Sequence, residues 1–386
     1  MPESTTSEWS ELTKDYFIAL LKKCRKNEPI DEPIKRLILY QEQVGTGKND
    51  REIVAHIFRD SLQGLKTTKS SDKERVSACL IEEYFLNKLH GSGTVSLLKK
   101  LGVTTIPVDN VFNLVSIAAD HLCRAVLHRE QWAREERIEA LEARIEASEN
   151  KIGEFVGLQA HIDRLQVILN DLKNRWIILI YGEAGIGKTT FVSQLLKHVA
   201  REDCSWPDLL WVTAPSRRVS AAATLYPVLA PEDLVGRLLT LATKKAPNIG
   251  EISLDDARQR LRLLFRKRKH VVVIDNLQTA ADVKAILPVV RSICAPTKFI
   301  LIAREPLYEA SDMYHYKVPP LNDVLSLQLL RDQVNFHGLI AGDSDLQIIC
   351  GHAKGTPKVL LTIMGQVREH GIDSVLSNLK NRDSER

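Results

Sequence analysis

One short segment, residues 182–190, constrains this chain more than any other. It reads Gly-Glu-Ala-Gly-Ile-Gly-Lys-Thr-Thr, follows an apolar run that ends at Tyr181, and precedes a segment with helical periodicity. The spacing fits G-x-x-x-x-G-K-[ST], in which glycines let successive backbone N–H groups face one anion. The positive end of the following helix dipole also favours an anion there. The segment predicts a phosphate-binding loop between a strand and a helix, with an ordinary glycine-rich turn as the alternative.

The apolar pattern changes character near residue 150. Before this point the sequence shows only helical periodicity. Beyond it, four short apolar runs alternate with helical stretches: residues 176–181, 209–212, 271–274 and 299–302. Continuous apolar runs between helices are typical of a parallel sheet that is covered on both faces.

This pattern predicts an α/β fold with a doubly wound parallel sheet and an all-helical N-terminal domain; a small helical lid after the sheet is implied by a family resemblance of the later motifs. The predicted ranges are 1–128 for the N-terminal domain, 129–153 for a helical linker, 154–306 for the nucleotide-binding domain and 307–386 for the lid.

Composition narrows the class of protein. Of 386 residues, 53 are basic and 49 acidic, a balance that neither requires nor excludes nucleic acid. A hydrophobic share of 44% is that of a globular protein rather than a disordered one. Apolar runs fall short of the roughly 20 residues that span a bilayer, and the polar N-terminus does not resemble a secretory signal. We therefore predict a cytoplasmic protein without a membrane partner, whose six scattered cysteines are reduced core thiols.

The motif also predicts which residues bind the nucleotide and its metal ion. Lys188 would place a positive charge at the β and γ oxygens of a nucleotide, and the Thr189 hydroxyl would join the Mg²⁺ shell. Asp275, at the end of the run 271–274, is the second predicted metal ligand; the alternative is a turn aspartate. The predicted cofactor-binding residues of the loop are Gly182, Gly185, Ile186, Gly187, Lys188, Thr189 and Thr190.

Two further residues complete the predicted catalytic set of Lys188, Asp275, Asn276 and Arg304. Asn276 carries an amide, which cannot accept a proton from an attacking water, so we expect hydrolysis to be slow or to use another base. Arg304 follows the run 299–302 and would lie at the ligand-binding edge of the sheet, within reach of a γ-phosphate. The alternative is a surface arginine in a loop.

Taken together, these motifs resemble the NB-ARC type of the STAND class of P-loop NTPases. Phe155-Val156-Gly157-Leu158 is similar to the segment that packs against adenine in this family, although Leu158 stands where arginine is usual. Asp275-Asn276 resembles the family's Walker B motif, and Arg304 its sensor arginine. Gly355-Thr356-Pro357 resembles the lid motif whose proline abuts the base, with Thr356 in place of leucine.

The resemblance implies a specific activity and further contacts. It adds Val156 and Pro357 to the predicted nucleotide contacts, although Pro357 also suits an ordinary helix start. It implies ATP or ADP with Mg²⁺, a weak ATPase, and a switch in signal transduction that acts through protein partners or a homo-oligomer.

Two segments of the helical N-terminal region, residues 138–152 and 94–122, each have two possible interpretations. Ile138, Leu141, Ile145 and Ile152 have heptad spacing, which indicates a short coiled coil or lever, or else a helix packed on its own protein. Residues 94–122 resemble the helix-turn-helix of sigma-factor-like domains, but the second helix has almost no basic residues. The segment therefore predicts either DNA binding or a protein-interaction domain. Accordingly, the alternative function is a DNA-associated ATPase, such as a transcription, transposition or replication accessory protein.

Overall fold

The computed structural model describes two compact units, Met1–Glu139 and Ala140–Arg386. Within them, the structure describes residues 10–44, 46–66, 72–88, 96, 108–148, 158–171, 176–202, 208–215, 228–243, 253–267 and 270–384. Within these residues, no helix is both long enough and apolar enough to cross a bilayer.

All described secondary-structure elements of the first unit are helices or helical turns, as the sequence predicts. Helix α1 begins where Thr13 accepts a hydrogen bond from the Tyr16 N–H, and it ends at Asn27 in the left-handed conformation. Its apolar face, with Phe17 at the centre, packs against Phe58. The helices are α1 (Lys14–Lys26), α2 (Glu32–Lys35), α3 (Ile38–Gln41), α4 (Asp50–Gln63), a 3₁₀ turn (Gly64–Lys66), α5 (Asp72–Leu80) and a π-helical turn (Ile81–Leu86).

Helix α6 (Val108–Ser148) belongs partly to each unit. In the first unit, the buried Glu130 carboxylate accepts the N–H groups of Ile38 and Leu39, at 2.9 and 3.1 Å, and so caps α3. In the second unit, Ile145 is buried in the core beside the partly buried Leu141. The helix continues without a glycine or proline across residues 128–129, where the predicted helical linker begins. The burial of Ile145 supports packing on the same protein over a coiled coil; Ile152 lies outside the described residues.

The second unit contains a five-stranded parallel sheet in the order β2-β3-β4-β1-β5. The strands are β1 (Ile177–Tyr181), β2 (Asp208–Thr213), β3 (His270–Leu277), β4 (Lys298–Ala303) and β5 (Met313–Lys317). The four apolar runs correspond to β1–β4. Strand β5 corrects the predicted lid boundary at residue 307, because residues up to Lys317 belong to the sheet. Its sequence, Met-Tyr-His-Tyr-Lys, lacks an apolar run, and only Met313 and Tyr316 of its five residues are buried.

Both faces of the sheet are covered. Ile177 and Leu179 of β1 pack into one apolar core, while Ile178 and Ile180 pack into another. The helices that cover the sheet are α7 (Gln159–Asn170), α8 (Lys188–Glu202), α9 (Pro231–Thr243), α10 (Leu254–Lys267) and α11 (Ala280–Ile293). This is the doubly wound α/β arrangement that the sequence predicts.

Four helices after the sheet form a lid with its own core. They are α12 (Asp323–His337), α13 (Asp343–Ala353), α14 (Pro357–His370) and α15 (Ile372–Ser384). Leu330, Leu346 and Leu360, from three different helices, are almost completely buried in this core.

Strand order determines where the predicted site residues meet. Strand β4 lies between β1 and β3, and Ala303 at its end pairs with Tyr181 and with Leu277. Because the strands are parallel, their carboxyl ends lie at one edge of the sheet. The loop after β1, the end of β3 and Arg304 therefore share this edge.

Candidate nucleotide-binding site

The loop after β1 adopts a conformation that needs glycine. Gly185 and Gly187 have φ values of 82° and 93°, in the left-handed region that other residues rarely adopt. Helix α8 starts directly at Lys188, and the Phe191 N–H donates to the Gly187 carbonyl at 2.8 Å. The loop thus leads into the N-terminus of a 15-residue helix, as an anion-binding turn does.

Lys188 folds over this loop. Its Nζ donates to the carbonyl oxygens of Gly182 and Glu183, at 2.8 Å each. Burial lowers the pKa of Lys188 to about 8, with a further lowering from the positive charge of Arg304 and an opposing effect of Asp275. Since two cations share the site, a polyanion there would relieve their repulsion.

A hydroxyl and a carboxylate form the oxygen-rich part of the site. The Thr189 hydroxyl donates to the Asp275 carboxylate, at 3.1 Å to Oδ2 and 3.3 Å to Oδ1. Asp275 is only 6% exposed, and burial raises its pKa despite the Asn276 N–H, the Thr189 hydroxyl and Lys188. A buried carboxylate that is incompletely compensated, beside a hydroxyl, is a donor set suited to a hard cation such as Mg²⁺.

Asn276 links two strands. Its Nδ2 donates to the Ala214 carbonyl at 2.8 Å, and its backbone N–H donates to Asp275 Oδ1 at 2.6 Å. Its φ of 68° is left-handed, which asparagine tolerates better than most residues. The amide therefore fixes the irregular end of β3 that holds Asp275, a positioning role that the sequence did not indicate.

Of the remaining predicted residues, Arg304 lies at the edge of the sheet, while Ile186 and Thr190 are buried at the loop. The Arg304 N–H donates to the Leu277 carbonyl at 3.1 Å, and its exposed side chain is close enough to Lys188 to lower that pKa. Ile186 and Thr190 are buried beneath the loop and in the first turn of α8. Val156 lies outside the described residues.

The lid touches the loop at a residue that the sequence did not indicate. Pro357 is buried at the first position of α14, but it is the next residue, Lys358, whose N–H donates to the Gly185 carbonyl at 3.2 Å. A Cβ on Gly185 would lie 2.7 Å from the Lys358 Cβ. The glycine thus permits the close approach of lid and loop, which no local sequence pattern encodes.

Replacing Asp275 with asparagine should stabilise the protein in the absence of nucleotide and should weaken the binding of nucleotide with Mg²⁺. Burial raises the pKa of this carboxyl in the folded protein above its value in the unfolded chain. When the pH rises above about 4, the unfolded chain therefore ionises more readily than the folded one, and the stability of the folded state decreases. We therefore expect Asp275→Asn to raise the apo unfolding midpoint at neutral pH, by an amount that shrinks toward pH 4. The same variant should lose Mg²⁺-dependent nucleotide binding by about tenfold or more. Thermal unfolding across pH, with and without nucleotide and Mg²⁺, measures both effects.

Asp312→Asn is the control for this prediction. The Asp312 carboxylate binds Arg291 through two bonds of 2.6 and 2.7 Å, and this pair lowers its pKa. Its loss should leave the midpoint unchanged or lower it at neutral pH. A lower apo midpoint for Asp275→Asn would contradict the stated cost of burying that carboxylate.

Comparison with known protein families gives a match to part of the chain. The sequence profile of the AAA ATPase domain matches residues 154–292. No curated protein sequence matches the chain significantly.

Two similar solved structures illustrate the structural likeness. One is the Walker-type ATPase of Pyrococcus abyssi, with 12% identity, a TM-score of 0.44, and 60% of this chain and 74% of that chain covered. The other is from a structure of the Drosophila ORC bound to DNA, with 13% identity, a TM-score of 0.43, and 64% of each chain covered.

The second unit has the α/β fold of a P-loop NTPase. This assignment combines the five-stranded parallel sheet, the loop after β1 and the AAA ATPase domain match.

Proposed function

We propose that this protein is an ATP-binding regulatory switch of the STAND type, in which slow hydrolysis of ATP changes how the lid packs on the α/β domain. Lys188 and the backbone of the loop would hold the phosphates, and Arg304 would add a second positive charge. Thr189 and Asp275 would hold Mg²⁺, which supplies charge neutralisation of the phosphate oxygens. The catalytic role of Arg304 and the base contact of Pro357 belong to this proposal.

One observation carries the proposal: the Lys358 N–H of the lid donates to the Gly185 carbonyl of the loop. The lid and a bound phosphate would therefore use the same loop. A ligand shifts a conformational equilibrium only when it binds the two conformations with different affinity. A nucleotide that alters the position of Gly185 meets this condition, because the lid bond depends on that carbonyl.

Asn276 favours a switch with slow turnover over a fast enzyme. Its amide cannot act as a general base, and its Nδ2 is bonded to Ala214. A long-lived ATP state suits a protein whose output is altered contacts with protein partners or with further copies of the chain. A nucleotide-stabilised scaffold without turnover is the limiting case of the same chemistry.

The proposal predicts a change of shape or assembly between nucleotide states. We expect size-exclusion chromatography with light scattering to give a different hydrodynamic radius or mass in Mg²⁺ with ADP than with a non-hydrolysable ATP analogue. The Lys188→Ala variant should give the same values in both. An identical radius and mass of the wild type in both nucleotides, at saturation, would contradict the switch.

The DNA-associated alternative rests on the segment 94–122, of which residues 94, 95 and 97–107 lie outside the described residues. The second helix of that motif falls within α6. DNA binding by this segment stays a prediction from the sequence.

A further inference from the structure

A cavity in the first unit has no role in the proposed switch. Its volume is about 720 Å³, within the range of small-ligand pockets. Four cationic side chains line it: Lys48, Arg51, Arg59 and Lys88. Glu52 is the one carboxylate among the described lining residues.

The carboxylates in and near this cavity have partners other than the four cations. The Glu52 carboxylate accepts the Asn49 N–H at 2.8 Å, in a reciprocal cap of α4. Asp50 binds Lys35 at 2.8 Å, and Asp60 lies 3.3 Å from His56, which also lines the cavity. With four cationic side chains against the one described carboxylate of Glu52, the lining of the cavity has a net positive charge.

The four cations contact neutral groups where the structure describes a partner. Lys48 donates to Gln43, Arg59 to Asn87, and Lys88 to Asn27, at 3.2, 3.3 and 2.8 Å respectively. Within the described part of the chain, none of the four lies within salt-bridge distance of a carboxylate. Several like charges around one concavity repel each other, and a bound polyanion would relieve this repulsion.

The backbone at the rim has an uncommon conformation. Lys88 and Asn27 both lie in the left-handed region, with φ of 57° and 62°, and the Lys88 ammonium donates a hydrogen bond to the Asn27 side chain. Asparagine adopts this conformation readily at a helix end, whereas lysine adopts it rarely. Such residues are frequent at ligand sites, where surrounding structure maintains them.

We propose that this cavity, which we call the basic pocket, binds a small ligand with several phosphate groups. Arginine pairs with phosphate through two parallel hydrogen bonds, and lysine through its point charge. The concave shape favours a small ligand over duplex DNA, because proteins usually read a duplex with helices or strands that enter its grooves. The basic pocket would give the first unit its own ligand, separate from the P-loop.

Calorimetry with inorganic tripolyphosphate tests this site on the full chain. The Lys188→Ala variant serves as the background, so that the P-loop contributes little and the result does not depend on the proposed switch. We expect saturable binding of one tripolyphosphate per chain, weakened about tenfold or more by the further changes Arg51→Gln and Arg59→Gln. Both arginines are exposed, so the pair should leave the circular dichroism and the unfolding midpoint unchanged.

Lys14→Gln with Lys22→Gln is the matched control, because both lysines are exposed on α1 and the net charge changes equally. This pair should leave the affinity within about twofold. Absence of binding, or equal weakening by the two pairs, would overturn the proposal. Binding of a short DNA duplex that depends on Arg51 and Arg59, without binding of tripolyphosphate, would also overturn it and would assign the basic pocket to nucleic acid. Slower hydrogen exchange of residues 50–63 with tripolyphosphate would support it independently.

Discussion

Replacing Lys188 with alanine is expected to lower the affinity for ATP with Mg²⁺ by about 100-fold. The variant loses the cation that α8 places over the loop, and charge-assisted bonds to phosphate contribute roughly 1.5–3 kcal/mol each. In the apo protein this ammonium is held by two neutral carbonyls and its pKa is lowered to about 8. Its removal should therefore change the apo unfolding midpoint far less than it changes nucleotide binding. Fluorescence anisotropy of a labelled ATP, together with thermal unfolding, measures both quantities.

Lys197→Ala on the same helix is the matched control. Lys197 Nζ lies 3.3 Å from Glu146, away from the loop, so its loss should leave nucleotide affinity unchanged. An affinity of Lys188→Ala within about threefold of the wild type would contradict the assignment of this loop to phosphates.

Replacing Gly355 with alanine is expected to destabilise the lid by about 2 to 5 kcal/mol. A Cβ at this position would lie 2.1 Å from the Leu321 carbonyl oxygen, and the φ of 71° disfavours any L side chain. Overpacking costs roughly 1–3 kcal/mol and a left-handed alanine roughly 1–2 kcal/mol. The Gly355 carbonyl also accepts the Leu321 N–H at 2.9 Å, so a backbone shift would weaken the start of the lid.

Hydrogen exchange of lid peptides is the appropriate measurement for Gly355→Ala, because it reports the stability of the lid separately from that of the rest of the chain. Residues 321–376 should exchange faster, while β1 and β4 should keep their protection. Gly365→Ala is the control, because a Cβ at Gly365, inside α14, meets no atom within 4 Å. Alanine there should stabilise the helix by about 0.5–1 kcal/mol. Equal exchange in the two variants would show that the close approach at Leu321 carries no energy.

The sequence predicted strands β1–β4 better than it predicted strand β5 and the length of helix α6. The runs that form β1–β4 are continuously apolar because side chains on both faces of those strands are buried. The residue types alone therefore indicate these strands. Strand β5 escaped prediction because only two of its five residues are buried, so its sequence contains no continuous apolar run. Helix α6 was divided in the prediction because its apolar residues pack within two different units, which interrupts a single periodic stripe.

The candidate site shows the same limit. Local spacing was enough to place Lys188, Thr189 and Asp275 together, since the loop and the strand end are each encoded by neighbouring residues. The contact of Lys358 with Gly185 joins residues far apart in the chain, and only the packed lid brings them together. The basic pocket likewise combines the end of α1, one side of α4 and Lys88, three segments with no shared motif.

Titration calorimetry of the full chain with ATP in the presence of Mg²⁺ tests most directly whether the loop after β1 is a nucleotide site. In the Arg51→Gln and Arg59→Gln background, where the basic pocket contributes little, we predict saturable heat with one site per chain, weaker binding when Mg²⁺ is removed, and loss of the signal on the further change Lys188→Ala. The absence of heat at millimolar nucleotide and Mg²⁺, from a chain whose circular dichroism shows it to be folded, would contradict this account.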